Sequence, residues 1–533
     1  MTSTVEVSLS ARATAAVAGP AGAVGDQTPP MAARPDRAAP ADAASIPAAG
    51  ALAAGAATAV ARVDWWVLGV VAANIAQVAG FAWVYPHHRL DPDLLAYLTY
   101  FRNWLADDRT LHGIAYFTAP KTLLVFTLGA LGSASNALVF TALASALLGT
   151  AVYLIARDAF GRAAALAASF LLLLDPSKAI LTLKSSADLY LALFVLLAIL
   201  LADRGRLLGA SMCLLLSALV KPVTLPCAAC FLVAPGTRMR RWSAALIPLL
   251  AVPLMLLAHR ALLGGAFEGS RFFDEFASMT GGEPIGPGEV FHYAIWSQLI
   301  RIRFASTASW GILGLLLWVS DDRTRLTRAL LLMPLLFVLG YVGLSAVAPY
   351  PPYFRYFWLL EVWFLMFLAY GALDGARRLA PEAPRLRQAV AGVVLVLLAD
   401  GMIGRQLDYR RDYAEPLEQS MSFADGATGL LKARWQTGDT VVAPLGLLPY
   451  MMWEMPDAGR AGGVDTAERI AREHATPQPD WILDVPRMYA TDATRQWMGD
   501  LVRNGSYEVL VTDGQAALLG RAGDRPALAV SGR

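Results

Sequence analysis

A few acidic side chains lie within or directly beside the long apolar runs of this sequence. Asp91 and Asp93 follow the first long apolar run, Asp188 begins a later run, and Glu361 lies inside another. A carboxylate can act as the base that takes a proton from a hydroxyl group. Because ionisable groups at membrane depth are costly, their presence there points to function.

Positive charges accompany these acids. The chain has only five lysines, and four of them (Lys121, Lys178, Lys184 and Lys221) fall at predicted helix ends on the same side as the acids, as does Arg355. Lysine and arginine can bind an anionic phosphate and stabilise the charge that develops on it as it leaves. The combination suits transfer of a group from a lipid phosphate to a hydroxyl, although each lysine alone could extend its charged end to water.

The elements that must position these residues are membrane helices. Of the 533 residues, 56% are apolar and 16% are charged, with a mean hydropathy of +0.48, whereas soluble domains are about 25% charged. This composition excludes a water-soluble protein. About eleven apolar runs approach the roughly 20 residues that span a bilayer: they lie at 65–85, 136–156, 163–175, 187–202, 207–220, 222–235, 242–262, 304–319, 329–348, 356–373 and 388–404.

Arginine placement predicts how these helices are oriented. Cytoplasmic loops retain Lys and Arg, and arginine clusters fall in alternate loops, at 157–162, 204–206, 238–241, 323–328 and 377–387. The pattern places the amino terminus in the cytoplasm and segments 86–135, 263–303 and 406–533 outside. We expect the membrane to be a bacterial inner membrane. The net charge of +2 gives no sign of a nucleic-acid partner.

Two terminal regions differ from the membrane part at 61–405. Residues 1–60 are rich in Ala, Gly and Pro and cannot bury enough surface to offset chain entropy, so we predict a disordered tail. Residues 406–533 contain three short β-branched runs, beginning at Asp439, Asp480 and Tyr507, and helical patterns at 465–474 and 492–503. The predicted fold class is an α-helical polytopic membrane protein with a small extracytoplasmic α/β domain at its C-terminus.

The segment after the first apolar run carries a distinctive pattern. It reads Asp93-Leu-Leu-Ala-Tyr97-Leu-Thr-Tyr-Phe-Arg102, and helical spacing puts Asp93 and Tyr97 on one face. It resembles the first outer loop of the C-type (GT-C) integral membrane glycosyltransferases, in particular the lipid A aminoarabinose transferases and the protein O-mannosyltransferases. The resemblance implies that Asp93 is the catalytic carboxylate. Many members carry a second acid directly adjacent, where this chain has Leu94, so Asp91 is the alternative base.

Three further motifs resemble the same family. Tyr116-Phe-Thr-Ala-Pro-Lys121 is similar to an element whose lysine contacts the lipid phosphate, and Tyr353-Phe-Arg355-Tyr356 is similar to the Arg-Tyr signature that reaches it. Asp188 occupies the position of a second acid that faces the sugar or a metal, although it could instead cap its helix. Arg355 could instead anchor its helix at the interface. The implied substrate-binding residues are Lys121, Arg355, Tyr356, Tyr97, Arg102, Lys184 and Glu361.

The resemblance implies an inverting glycosyltransferase. It would move a sugar from a polyprenyl-phosphate donor to a lipid, glycan or protein acceptor on the outer face of the membrane. Whether the site also binds a divalent metal is left open by the sequence, because the carboxylate spacing does not distinguish a cation site from a phosphate site. A transporter or lipid flippase could use the same charges, but no internal repeat supports it. A noncatalytic scaffold is the third alternative, which intramembrane acids disfavour.

Overall fold

A computed structural model describes most of the chain from Asp64 onward. The described residues are 64–87, 92–106, 121–233, 236–263, 326–347, 357–460, 464–466, 479–485, 492–514 and 516–522, with single positions at 288, 314 and 316. Several predictions lie outside the described residues: the tail at 1–60, most of the apolar run at 304–319 and nearly all of the outer segment 263–303.

Eight of the described α-helices lie between Trp65 and Val220. They are α1 (Trp65–Val84), α2 (Pro92–Leu105), α3 (Thr122–Gly129), α4 (Ala134–Phe160), α5 (Arg162–Leu174), α6 (Pro176–Leu183), α7 (Ala187–Asp203) and α8 (Leu207–Val220). Their starts follow from capping residues: Asp64, Ser133 and Ser186 each accept a hydrogen bond from a backbone N–H of the first turn. These bonds satisfy donors that have no partner within the helix.

The second group of helices extends to Arg434. It comprises α9 (Arg238–Leu246), α10 (Ala251–Leu263), α11 (Leu326–Val347), α12 (Trp358–Leu379), α13 (Pro384–Tyr409) and α14 (Glu415–Arg434). A π-helical turn at Arg410–Ala414 joins α13 to α14. One helical run therefore extends from Pro384 to Arg434. It continues past residue 405, where the sequence predicts that the membrane part ends and the outer domain begins.

The predicted eleven spans are not confirmed. Within the described residues, five helical segments are long and apolar enough to cross a membrane, or six if the bent pair α5 and α6 is one span. That pair bends by 61° at Pro176, α8 has only 14 residues, and Pro222–Val233 is a 3-10 helix that contains Pro226. Proline removes a backbone donor and breaks α-helical hydrogen bonding, which hydropathy alone does not register.

Arginines from two turns gather at one end of the bundle. The contacts are Arg157 with Asp64 at 3.1 Å, Arg204 with Asp158 at 3.3 Å, and Arg162 over the Trp66 ring at 5.1 Å. The amino end of α1, the α4–α5 turn and the α7–α8 turn therefore meet there. The opposite end of each of the helices α1, α7 and α8 is marked by Tyr85, Asp188 and Lys221, respectively.

The C-terminal part contains a five-stranded mixed sheet. Its strands are β1 (Val441–Ala443), β2 (Val464–Thr466), β3 (Trp481–Asp484), β4 (Tyr507–Asp513) and β5 (Ala516–Arg521), in the order β2-β1-β3-β5-β4. Strand β1 pairs in parallel with β2 and β3, and β5 pairs antiparallel with β3 and β4. The accompanying helices are α15 (Leu448–Glu454), α16 (Pro456–Arg460) and α17 (Asp492–Arg503).

These elements differ from the sequence prediction in two respects. The helical pattern predicted at 465–474 is wrong at its start, because Val464–Thr466 forms β2. In addition, Trp481 and Leu518 of the sheet belong to the same buried core as the membrane helices. A separate C-terminal domain is therefore not confirmed.

A close contact between α2 and α3 depends on Gly129. A β carbon at this position would overlap the Phe101 side chain, with only 2.6 Å to its Cγ. Overpacking of this kind costs about 1–3 kcal/mol, so we expect Gly129→Ala to lower the apparent Tm in detergent. As the matched control, Gly69→Ala in α1 meets no described atom within 4 Å. Equal apparent Tm values for the two variants would contradict this packing.

Candidate functional site

Helix α2 carries the proposed catalytic acid. Asp93 lies half-buried in its first turn, and Tyr97, one turn later, is fully buried. The Lys121 ammonium group, directly before α3, stands 5.6 Å from the centre of the Tyr97 ring. Since residues four apart share a helix face, Lys121 lies beside the face that carries Asp93 and Tyr97. The structure thus brings together two motifs that are distant in sequence.

Arg102, at the other end of α2, contacts protein groups. Its guanidinium donates to the carbonyl oxygens of Trp453 at 3.1 Å and Met452 at 2.7 Å. It also lies 4.7 Å from the Trp453 ring centre. The sequence predicts that Arg102 binds substrate, whereas these contacts join α2 to the end of α15.

Asp188 forms a buried ion pair with Lys221. The carboxylate oxygen lies 2.5 Å from the ammonium nitrogen, and the two side chains are 5% and 11% exposed. Ser186 donates to the second carboxylate oxygen at 3.2 Å and accepts the Asp188 backbone N–H as the N-cap of α7. Ser186, not Asp188, therefore caps the helix, and the carboxylate is held by a cation.

The turn before Asp188 adopts an unusual backbone conformation. Ser185 has a φ of +48°, and the Ser186 N–H reaches back to the Leu181 carbonyl at 2.8 Å. This is a Schellman-type helix end, in which glycine normally occupies the left-handed position. The Ser185 hydroxyl lies 2.8 Å from that of Thr141. Strained backbone that is held by surrounding contacts is a feature of functional sites.

Lys184, on the same turn, contacts the π-helical turn between α13 and α14. Its ammonium group donates to the Tyr413 hydroxyl at 2.7 Å and lies 5.2 Å from the centre of that ring. Tyr413 in turn packs on Tyr409, with ring centroids 5.1 Å apart. Lys184 therefore ties the α6–α7 turn to the long helical run.

Glu361 forms a second buried ion pair, with Arg405. The two side chains are 3% and 13% exposed, and the nitrogen–oxygen distance is 2.8 Å. Asp175 is fully buried nearby and interacts electrostatically with both. It accepts the Trp358 indole N–H at 2.7 Å and the Ser177 backbone N–H at 3.0 Å. Glu361 thus has the partner that a carboxylate inside an apolar helix requires.

Sequence reasoning misses Asp175 and Arg405 as members of this network. The Asp-Pro pair at 175–176 is a helix-start signal, and it could have identified Asp175 as a cap. Nothing local in the sequence indicates that Arg405 reaches Glu361, because the two residues lie on different helices. Lys221 is likewise absent from the residues that the resemblance implies.

A cavity of about 420 Å³ lies between α1 and the end of α13. Gln77 lies at one end of its α1 wall, and its side-chain oxygen accepts from the fully buried Lys178 at 2.6 Å. Tyr85, Tyr409 and Arg410 also line it. The cavity therefore has a largely apolar α1 wall and polar lining residues at the end of α1, at the end of α13 and in the π-helical turn.

His87 lies just beyond α1 and binds a carboxylate. Its ring nitrogen is 2.6 Å from Glu418, and its backbone N–H donates to the same group at 3.1 Å. This contact of His87 links α1 to α14.

Across the part of the chain that the structure describes, no group of three or more His, Cys, Asp or Glu side chains is arranged to hold a metal ion.

Taken together, the described candidates form separate contacts rather than one set of direct neighbours: Lys121 with Tyr97, Arg102 with α15, Lys184 with Tyr413, Asp188 with Lys221, and Glu361 with Arg405. Asp188, Lys184 and Lys221 lie at helix ends opposite the arginine contacts. The remaining candidates, Asp91, Arg355 and Tyr356, lie outside the described residues.

Comparisons with known proteins bear on the fold. No family model and no curated protein sequence matches this chain. The crystal structure of ArnT from Cupriavidus metallidurans bound to undecaprenyl phosphate is similar, with a TM-score of 0.51 and 14% identity over 87% of this chain and 99% of that chain. Its apo structure has a TM-score of 0.50 and 14% identity over 85% and 97% of the two chains. The chain therefore has the fold of these ArnT structures, the GT-C fold that the resemblance of its motifs implies.

Proposed function

We propose that the chain is an inverting membrane glycosyltransferase. It would transfer a sugar from a polyprenyl-phosphate donor to a hydroxyl of a lipid, glycan or protein, at the outer face of a bacterial inner membrane. The observation that carries the proposal is the fold likeness over 87% of the chain to a structure that holds undecaprenyl phosphate. Buried cation–carboxylate pairs in the membrane part support it, because such groups are costly to retain there without a role.

Asp93 is the proposed base. The amino end of α2 favours a negative charge at this position, and the ionised carboxylate is the form that can accept a proton. It removes the acceptor hydroxyl proton while the hydroxyl oxygen attacks the anomeric carbon. The bond from that carbon to the phosphate oxygen breaks, and polyprenyl phosphate departs with the bonding electrons. Asp91 remains the alternative base.

Cations would stabilise the departing phosphate. We assign this role to Lys121, which lies beside the Asp93 face of α2, and to Arg355 with the adjacent Tyr356. Asp188, oriented by Lys221, would face the sugar. Lys184 and Glu361 contact protein side chains, so we assign them to holding the α6–α7 turn and α12 in place.

The test is incubation of the purified protein in lipid with a panel of polyprenyl-phosphate sugars and candidate acceptors, followed by mass spectrometry. We expect an acceptor that gains the mass of one sugar residue, together with free polyprenyl phosphate. Transport of the intact donor across sealed vesicles, without such a product, would instead favour a flippase.

Replacing Lys121 by Gln is expected to weaken donor binding. Losing one charge-assisted hydrogen bond to phosphate corresponds to about 1.5–3 kcal/mol, or roughly a 10- to 100-fold rise in donor KM. Lys432→Gln is the matched control, since Lys432 pairs with Glu454 at 2.5 Å on α15, away from α3. A donor KM in Lys121→Gln equal to that of the control would remove Lys121 from the phosphate site.

A further inference from the structure

Helix α2 is fastened to the C-terminal part of the chain at the end opposite Asp93. The Arg102 guanidinium bonds the Met452 and Trp453 carbonyls, at 2.7 and 3.1 Å, and stacks on the Trp453 ring. These carbonyls belong to the last turn of α15, where no further helical N–H is available to them. A cation at the carboxyl end of a helix is also favoured electrostatically. Arg102 thus donates hydrogen bonds to two carbonyl oxygens at the carboxyl end of α15.

The surface that receives Arg102 is itself held in place. The Tyr450 hydroxyl of α15 donates to Asp425 of α14 at 2.9 Å, and burial raises the pKa of Tyr450, which keeps this donor protonated. Lys432 of α14 pairs with Glu454 at 2.5 Å. Because α14 continues the long helical run from α13, α15 gives α2 a fixed support.

Helical geometry connects this support to the proposed base. Arg102 follows Asp93 by nine residues, which corresponds to about 13 Å along the axis and two and a half turns. The two side chains therefore project from opposite faces of α2. One face is held against α15, and the other carries Asp93 and Tyr97 towards Lys121.

From these contacts we infer that Arg102 is a positioning residue that uses the C-terminal part of the chain to orient the helix of the catalytic acid. The inference rests on the proposed function. Both guanidinium amino groups are engaged by carbonyls, so the side chain acts on the reaction through α2. We call the contacts of Arg102 with Met452 and Trp453 the clamp. A misplacement of about 1 Å at a reacting group can cost about 100-fold in rate, so loss of the clamp should have a measurable effect on the rate.

The test compares Arg102→Met and Arg102→Lys with the wild type in lipid nanodiscs. In Arg102→Met we expect amide hydrogen exchange in α2 to become at least about tenfold faster, and kcat to fall about 10- to 100-fold with donor KM within about twofold. Lysine keeps the charge but cannot bridge two carbonyls, so Arg102→Lys should give intermediate values. Rates are normalised to the folded fraction.

Arg503→Met is the matched control, because it makes the same chemical change at an arginine of α17 that is 67% exposed and pairs with Asp500. Its α2 exchange and kcat should equal those of the wild type. Unchanged α2 exchange in both Arg102 variants would overturn the clamp, and a raised donor KM with unchanged kcat would make Arg102 a substrate ligand instead. The exchange measurement needs no substrate, so it decides the clamp even where no sugar transfer is detected in the wild type and the proposed function fails.

Discussion

Replacing Asp93 by Asn is expected to slow sugar transfer at least about 100-fold while the protein still folds and inserts. Asparagine has nearly the same size and can still form hydrogen bonds, but it cannot accept a proton at neutral pH. A positioned general base contributes about 10²- to 10⁴-fold to the rate. We therefore expect the single-turnover rate in nanodiscs to fall by about that factor, with the apparent Tm close to that of the wild type.

The matched control for this variant is Asp500→Asn. Asp500 lies on α17 with its side chain 51% exposed and pairs with Arg503, so the same chemical change there should leave transfer unaffected. A rate for Asp93→Asn above about half of the wild-type value would remove the base assignment. The same measurement on Asp91→Asn would then test the alternative acid.

Replacing Arg405 by Met is expected to have the largest effect on stability. Arg405 is the ion-pair partner of Glu361 and also interacts with Asp175. Without it, two carboxylates remain buried together in the membrane part of the chain. Breaking a buried pair by removing one partner costs about 3–5 kcal/mol. We expect a clear loss of apparent Tm and of monodisperse protein after extraction in detergent.

Two comparisons isolate the charge effect from the change of shape. Arg411→Met removes an arginine that is 72% exposed and bonded to Asp412, and exposed pairs of this kind contribute about 0–1 kcal/mol. Combining Arg405→Met with Glu361→Gln removes one of the stranded charges, so the double variant should recover part of the loss. If Arg405→Met is as stable as Arg411→Met, the buried network does not hold the helices together.

Hydropathy predicts the long continuous helices well. The runs at 65–85, 136–156, 356–373 and 388–404 correspond to α1, α4, α12 and α13, because a long apolar stretch has few alternatives in a bilayer. The same measure cannot register where the backbone changes direction. Pro176 and the 3-10 segment after Lys221 convert predicted spans into bent or shortened elements.

Pairing between distant residues is the part of the site that a single sequence does not contain. Asp93, Tyr97 and Lys121 are identified by motif, but the partners of Glu361 and Asp188 depend on which helices pack together. Arg102 illustrates the same limit: its position in the motif predicts a substrate contact, whereas its observed partners lie about 350 residues later in the chain. Motifs therefore select candidate residues, and packing decides which contacts these residues make.

The sheet shows which strands composition can reveal. Strands β1, β3 and β4 begin within two residues of the predicted positions, because each contains β-branched residues. Strand β5 (Ala516–Arg521) lacks them and has no alternating pattern, and Val464–Thr466 is followed by residues that favour helix. Both strands form because neighbouring strands supply their hydrogen bonds, which is a tertiary effect.

The most direct test of the proposed transfer is the stoichiometry of lipid release. In sealed vesicles that contain the wild-type protein, a polyprenyl-phosphate sugar and an acceptor, free polyprenyl phosphate and glycosylated acceptor are quantified together over time. The account predicts that they appear in a one-to-one ratio and that both form at least about 100-fold more slowly in Asp93→Asn. Donor that crosses the membrane intact, with neither product formed by the wild type, would contradict it.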